Sequence, residues 1–555
     1  MYSTSSNVLT ESRLQRKNDN PKSQRDTVIL FSPRWYPKFE TKDHWQRIRK
    51  AEDRFRSGDN SYPQDLAYKR PLNLGVPYYC LAIASYLKKL SFKTEIIDMH
   101  LEISPRHRIE QHRGKILCVG IECERPYAYA EGSAISRALR TVLPEVPIIW
   151  FGYMPTLFAG KFCSEGVADI VVRGQPEITF MEAVKSIEKN QPTKSVESLT
   201  YLESSGKVVD NPDRPLVFEE KSPAIDYSLL PIDNYALGGG KHVVIRTSVG
   251  CASQCSFCWF PVMYGTTYAG LSAKRVVKEL VFLKEKYNLK SITFADQSFI
   301  QRKRRVQEIC EGIIEAKIEL KWRASGQINV LYKYPDSLLK LMGEAGCSYI
   351  QMGVESGSEH LLKCLKKPHN WEMVITLAKR LKKYNIGIRA NFIFGLPGET
   401  EEDFYKSWKL IRELQSIQSG LEIDYYHYTP VLGNELYERL SAEGKLKENK
   451  PEGNDIASWI KFSKEMEKPW FNDKYDRQKE TYYHLFGYDD TRVARIQHPL
   501  LKAIVPIYKQ YARFRAKHKF YAFAFDHYLA KTLDKFQTDR SWDMAFKMNL
   551  CKDVK

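Results

Sequence analysis

Short apolar runs separated by amphipathic stretches set the rhythm of residues 28–190. The runs that begin at Thr27, Thr94, Lys115, Val146 and Asp169 are continuous rather than alternating. Strands covered on both faces of a parallel sheet read this way. Helical periodicity fills the gaps, at 78–90, 131–142 and 177–189. The alternation predicts a doubly wound α/β sheet, whose ligands bind outside the carboxyl ends of the strands. Those ends carry Ser32, Gly120, Glu122, Gly152, Gly174 and Glu177. Small residues there let a ligand approach the backbone closely, and ordinary turn chemistry accounts for them equally well.

Residues 191–240 are rich in Ser, Pro and Asp and close on three consecutive glycines, Gly238 to Gly240, so 196–240 reads as a linker. A second alternation follows. Candidate strands start near His242, Ser291, Glu319, Tyr349, Gly387 and Glu422, with helical periods at 273–287, 306–316, 337–345 and 402–414. This pattern predicts an open, partial (β/α)6 barrel over 241–440, with its chemistry on the C-terminal rim of the strands. From 441 to 555 the chain turns aromatic and basic and reads as a mainly helical extension. Its aromatic and histidine side chains, among them Trp459, Trp470, Tyr482, Tyr483, His484, Phe520, Tyr521 and His527, fit a core or a cap over the barrel mouth.

Composition narrows the class. A chain of 555 residues exceeds what one core supports, so several domains are expected. The net charge of +18 is spread along the chain rather than packed into a basic arm, which favours anionic small molecules over nucleic acid. Residues 1–27 are polar and mixed in charge, a tail rather than a signal peptide. No apolar run is long enough to span a bilayer. The 11 cysteines follow no pairing pattern, so a reducing cytoplasm is the expected compartment.

Three of those cysteines are informative. Cys251, Cys255 and Cys258 stand as C-x3-C-x2-C in one loop directly after the first barrel strand. Three thiolates hold three irons of a [4Fe–4S] cube and leave the fourth open to a small molecule. Zinc normally takes a fourth protein ligand, and no second half-site follows. Phe257 and Trp259 flank the third cysteine and would shield a cluster from water.

With the segments Phe294 to Phe299, Gly353 to Gly357, Asn391 to Thr400 and Tyr428 to Tyr437, this loop resembles a radical S-adenosylmethionine (SAM) core. The chain as a whole resembles the cobalamin-binding subclass, methyltransferases in particular, over roughly 28–440. The sheet motifs, Leu72 to Pro77 and Val172 to Glu177, are looser. Phe151-Gly152-Tyr153 stands where the family often has a double glycine, and Gly174-Gln175-Pro176-Glu177 where it has Gly-Glu-Gly-Glu. Near Asp98 and His100 the family's D-x-H-x-x-G lacks its glycine, Ile103 standing there instead, so His100 reads as a strand end rather than a cobalt ligand.

The resemblance implies three cofactors: a [4Fe–4S] cluster on the cysteine triad, SAM, and cobalamin. For SAM it implies contacts from Phe257, from Asp296 to the ammonium, from Arg323 or Ser325 to the carboxylate, from Glu355 to the ribose, and from Asn391 to Gly395 around the adenine. For cobalamin it implies Ser32, Tyr78, Gly120, Glu122, Gly152, Gly174 and Glu177. The expected activity is radical methylation of an unactivated carbon in a small or specialised metabolite, with a flavodoxin or ferredoxin as electron donor. A ring-forming or rearranging enzyme and a non-catalytic cobalamin-binding module are the alternatives. Methylthiolation would need a second cysteine triad, and Cys80, Cys118, Cys123 and Cys163 are too dispersed.

Overall fold

The computed structural model describes residues 25–33, 76–100, 105–124, 126–203, 205–217, 222–231, 242–418, 421–446 and 499–518. Residues 1–24 of the expected 1–27 tail, the Leu72 to Gly75 part of the looser motif, the glycine run, and the aromatic and histidine residues named above for the C-terminal extension lie outside these, whereas Thr27 opens the first strand. Contacts divide the chain into two units, one of 1–240, 259–269 and 448–466, the other of 241–258, 270–447 and 467–555.

The first unit is built on a seven-stranded sheet. Its strands are β1 (Thr27–Ser32), β2 (Lys93–Asp98), β3 (Ile116–Glu122), β4 (Ile148–Phe151), β5 (Ile170–Val172), β6 (Leu199–Leu202) and β7 (Val208–Asp210), in the order β2-β1-β3-β4-β5-β6-β7. The first five pair in parallel, and β6 and β7 add antiparallel. Every residue of β1 and β3 is buried, which is why their sequences run apolar without alternation. Helices α1 (Tyr78–Lys89), α2 (Pro126–Val142) and α3 (Pro176–Glu188) make the crossovers. The helix expected from 131 begins at Pro126, proline at a first turn removing only an amide that has no helical partner there.

The linker expectation needs correcting. Its residues 199–210 form the β6–β7 hairpin, and Glu203 donates its amide to the Lys207 carbonyl across the turn. The runs are only four and three residues long, too short to register as periodicity among Ser and Asp. Arg173 ties the hairpin to β5, donating from Nη1 to the Leu199 carbonyl (3.0 Å) and from Nη2 to the Asn211 carbonyl (2.5 Å).

The second unit is an open sheet of six parallel strands in sequence order: β8 (His242–Ile245), β9 (Ser291–Phe294), β10 (Lys321–Gly326), β11 (Cys347–Glu355), β12 (Gly387–Phe394) and β13 (Glu422–His427). Between them run α4 (Ala273–Tyr287), α5 (Lys303–Glu315), α6 (Asp336–Glu344), α7 (Trp371–Lys383) and α8 (Glu401–Ile417). Buried and less buried residues alternate along much of these strands. Val243, Ile292, Trp322, Ile350, Ile388 and Ile423 are buried, while His242, Ser291, Arg323, Tyr349, Arg389 and Asp424 between them are only half-buried. One face is therefore apolar and packed under the helices, and the other is polar and open. Of the C-terminal extension, the helix Pro499–His518 is described.

Gly120 sits inside β3, and a Cβ added there would lie 2.6 Å from Leu30 Cδ2 and 2.7 Å from Phe180 Cζ. Both neighbours are fully buried, so neither can move aside. Gly120→Ala should cost about 1–3 kcal/mol of stability. Gly160→Ala, whose nearest contact would be 3.4 Å away, should cost nothing measurable. Chemical denaturation of the two variants checks the contrast.

Candidate active site

The cysteine loop is fixed through its backbone. Ser256 donates its amide to the Leu365 carbonyl (3.2 Å) and its Oγ to the Cys364 carbonyl (2.9 Å), and its own carbonyl accepts the Leu436 amide (2.8 Å). Asn434 Nδ2 donates to the Phe257 carbonyl at 2.7 Å, and the Gly250 amide donates to Gln297 Oε1 at 3.1 Å. The thiols of Cys251, Cys255 and Cys258 stay half-exposed, whereas Cys80, Cys118, Cys123, Cys163, Cys310 and Cys347 are buried. A backbone pinned on both sides of three accessible thiols is a donor set suited to an iron–sulfur cluster. Gln327 Nε2 reaches Cys251 Sγ at 2.8 Å.

Behind the loop, Asp296 is 2 % exposed and fully engaged. Its Oδ1 accepts the Thr247 amide (2.6 Å), and its Oδ2 accepts Thr247 Oγ1 (2.7 Å) and Ser248 Oγ (2.5 Å). Arg305 closes the network with Nη2 on the Thr247 carbonyl (2.9 Å) and Oγ1 (2.8 Å) and Nε on the Leu271 carbonyl (2.7 Å). The carboxylate expected to meet an ammonium thus holds the segment that leads into Cys251.

Glu355 ends β11 at φ +63°, a left-handed backbone that a non-glycine residue adopts at a cost of order 1–3 kcal/mol. Its Oε1 pairs with Lys367 Nζ at 2.8 Å, both side chains largely buried. Gly353 makes the room, since a Cβ there would lie 2.1 Å from Glu355 Oε1 and 2.8 Å from Lys367 Nζ. Burial works against the Lys367 charge, but Glu355 and then Cys255 outweigh it and lift the lysine above its ordinary value. Burial raises the Cys255 thiol, and Lys367 draws it back down. The same ammonium lies 5.5 Å from the centre of the Phe257 ring.

Arg323, Ser325 and Asn391 share the open polar face. Arg323 Nε bonds Thr293 Oγ1, its Nη1 bonds the Tyr349 hydroxyl, and its Nη2 lies 3.4 Å from His242 Nε2. Burial, then Arg323, lowers His242 to about 4, so the imidazole stays neutral beside the guanidinium. Asn391 Oδ1 accepts from Gln351 Nε2 at 3.3 Å. Gly395, at φ +67°, donates its amide to Glu399 Oε2 at 2.7 Å. The expected SAM residues are therefore gathered on one face and one rim of the second unit. Lys367, Gln327 and Arg305 were not found from sequence, because each lies in a stretch without motif or striking composition.

In the first unit, Ser32, Asp98, Glu122 and Gly152 meet at the carboxyl ends of their strands. The strand order reverses between β1 and β3, the crevice where such sheets bind ligands. Asp98 Oδ1 accepts the His100 amide and faces His100 Nδ1, both at 2.9 Å. His100 is thus a buried strand-end partner, as its sequence context implied. Gly152, at φ +110°, has Glu124 Oε1 2.7 Å and the Cys123 carbonyl oxygen 2.9 Å from where a Cβ would stand. Gly174, at φ +68°, donates its amide to Thr156 Oγ1 (3.0 Å), and Glu177 is buried in the first turn of α3. Tyr78 starts α1 edge-on to Tyr79, whose hydroxyl lies 2.7 Å from that of Tyr264. Trp259, next in sequence to Cys258, packs on Tyr153 at 4.6 Å within this unit. Gly120 stands apart from the rim, in the interior described above.

Burial, then the neighbouring Glu124, pushes the Glu122 carboxyl up to about 8, while Cys80 Sγ donates to its Oε2 at 3.4 Å. Unfolded, the same carboxyl titrates near 4.5. Between these values the folded state binds the extra proton, so this group lowers stability progressively as pH rises from about 4.5 to 8. Glu122→Gln should therefore stabilise the protein by up to about 4 kcal/mol at pH 8 and by less than about 1 kcal/mol at pH 5, measured by chemical denaturation at both values.

Residues 245–411 match the radical SAM superfamily. An uncharacterised methyltransferase of Pyrococcus horikoshii is 33% identical over 282 residues, 50% of this chain and 59% of that protein. The anaerobic magnesium-protoporphyrin IX monomethyl ester cyclase of Rubrivivax gelatinosus is 24% identical over 377 residues, 66% of each chain. The chain thus spans less than two thirds of the length of these relatives. Among solved structures, the cobalamin-dependent SAM radical enzyme OxsB, with aqua-cobalamin and SAM bound, superposes with a TM-score of 0.67 at 17% identity, over 88% of this chain and 71% of that one. Over residues 245–411 the chain thus matches the radical SAM superfamily, and its fold is similar to that of a cobalamin-dependent SAM radical enzyme.

Proposed function

We propose that the protein is a cobalamin-dependent radical SAM methyltransferase that acts on an unactivated carbon of a small or specialised metabolite. The observation that carries this reading is the pinned cysteine triad on the carboxyl rim of a six-stranded parallel sheet, in a chain that also holds a doubly wound sheet with a polar switch-point crevice. The fold shared with OxsB and the likeness to the Pyrococcus methyltransferase support it.

Cys251, Cys255 and Cys258 would hold the cluster, and Arg323, Ser325, Glu355, Asn391 and Gly395 would line the SAM site with Phe257. Ser32, Tyr78, Glu122, Gly152, Gly174 and Glu177 would rim the cobalamin site, where burial holds the Glu122 carboxyl well above the usual carboxylate range. Bound together, the three cofactors supply a one-electron route to an inert C–H bond and a methyl group to place there. The protein's own part is orientation and charge. Arg323, held by Thr293 and Tyr349, presents a fixed cation to a carboxylate. Lys367 offsets negative charge beside Cys255. Asp296 holds the loop and would stand near the SAM ammonium. A net charge of +18 suits docking by an acidic flavodoxin or ferredoxin in a reducing cytoplasm. Among the described residues, no helix is long and apolar enough to cross a membrane.

The likeness to the Rubrivivax cyclase favours one second reading, a ring-forming enzyme on the same scaffold. Anaerobic incubation of the reconstituted protein with a reductant, methyl-labelled SAM and a small-metabolite extract separates the two. Methyl transfer yields 5′-deoxyadenosine together with S-adenosylhomocysteine and a labelled product. 5′-Deoxyadenosine without S-adenosylhomocysteine would reject it in favour of cyclisation or rearrangement. Cys255→Ala should reduce SAM cleavage to background, and unchanged turnover would point to a non-catalytic module.

A further inference from the structure

Gln327 occupies the first position after β10, at the cap of the short helix Ile328–Tyr332. Its backbone has little latitude. Gly326 before it presses on Ile300, where a Cβ would lie 2.4 Å from the isoleucine side chain, and Ile328 after it is buried. Its side chain is oriented from the other end. Ser298, which is 0 % exposed, donates its Oγ to Gln327 Oε1 at 2.7 Å. With the oxygen engaged, the amide nitrogen turns to Cys251 Sγ, 2.8 Å away. The reverse orientation would set a carbonyl oxygen against a thiolate, two negative ends in contact, so the sulfur itself selects the donor.

A hydrogen bond to a ligating sulfur has a definite electronic effect. Reduction adds one negative charge to a cluster, and a donor on its thiolate stabilises the reduced form more than the oxidised one. The half-buried setting strengthens that preference relative to water. We propose that Gln327, oriented by Ser298, is a positioning residue that hydrogen-bonds the Cys251 thiolate and raises the cluster's reduction potential, easing electron delivery from the donor protein. This rests on the cluster reading given under the proposed function.

The test is an EPR-monitored redox titration of anaerobically reconstituted full-length protein, with iron counted for each variant. Gln327→Leu should keep the iron content of the parent protein and shift its midpoint potential to a more negative value. Ser298→Ala, which frees the carboxamide without removing it, should shift it the same way by less. A parent-like potential in Gln327→Leu with full iron content would overturn the proposal. Should that variant hold less iron, Ser298→Ala decides, a negative shift supporting the proposal and an unchanged potential overturning it. Failure of the parent protein to bind any cluster would sink the cluster reading itself, a different result from an unshifted potential.

Discussion

The site depends on one buried carboxylate. Asp296 takes three hydrogen bonds from Thr247 and Ser248, and Arg305 grips Thr247 from the opposite side. Charge-assisted bonds of this kind are each worth about 1.5–3 kcal/mol net, and leaving one partner buried alone costs more than the bond supplied. The network therefore fixes where β8 ends and the cysteine loop begins. Everything downstream inherits that position, since Cys251 lies only four residues beyond Thr247.

Across the rim, Glu355 solves a related problem at a different cost. Its left-handed backbone turns the carboxylate toward Lys367, and Gly353 supplies the space. The pair is buried, so its members exist as charges only because each has the other. What the arrangement accomplishes is placement, because it sets a lysine ammonium beside Cys255 and over the Phe257 ring. Backbone strain at a strand end next to a candidate ligand loop is where such outliers tend to gather.

Much of this was legible in the sequence, and the limits have physical reasons. Strand starts and helix spans followed from continuous and periodic apolar runs, which long-range packing did not override. The cysteine loop was legible because its spacing has few other uses. The β6–β7 hairpin was not, because runs as short as Leu199–Leu202 and Val208–Asp210 carry too few side chains for a period. Gly120 read as a ligand-approach glycine because sequence cannot tell which face of a strand a missing side chain opens, and here it opens toward Phe180. Asp296 was found and its position foreseen, but its three donors come from a loop about fifty residues away in sequence, a pairing no local pattern encodes.

Lys367 and Gln327 were missed for a shared reason that bears on how such sites are built. The residues that hold a loop are constrained in type and spacing, since a thiolate ligand must be cysteine and a tight turn asks for glycine. Residues that set the electrostatics around the loop need only deliver a charge or a donor to a point in space. Lysine does so here from the segment after β11, and glutamine from the cap of a short helix. Many other positions on the rim would serve as well, so chemistry of this second kind leaves little trace in sequence and becomes visible only once distances are known.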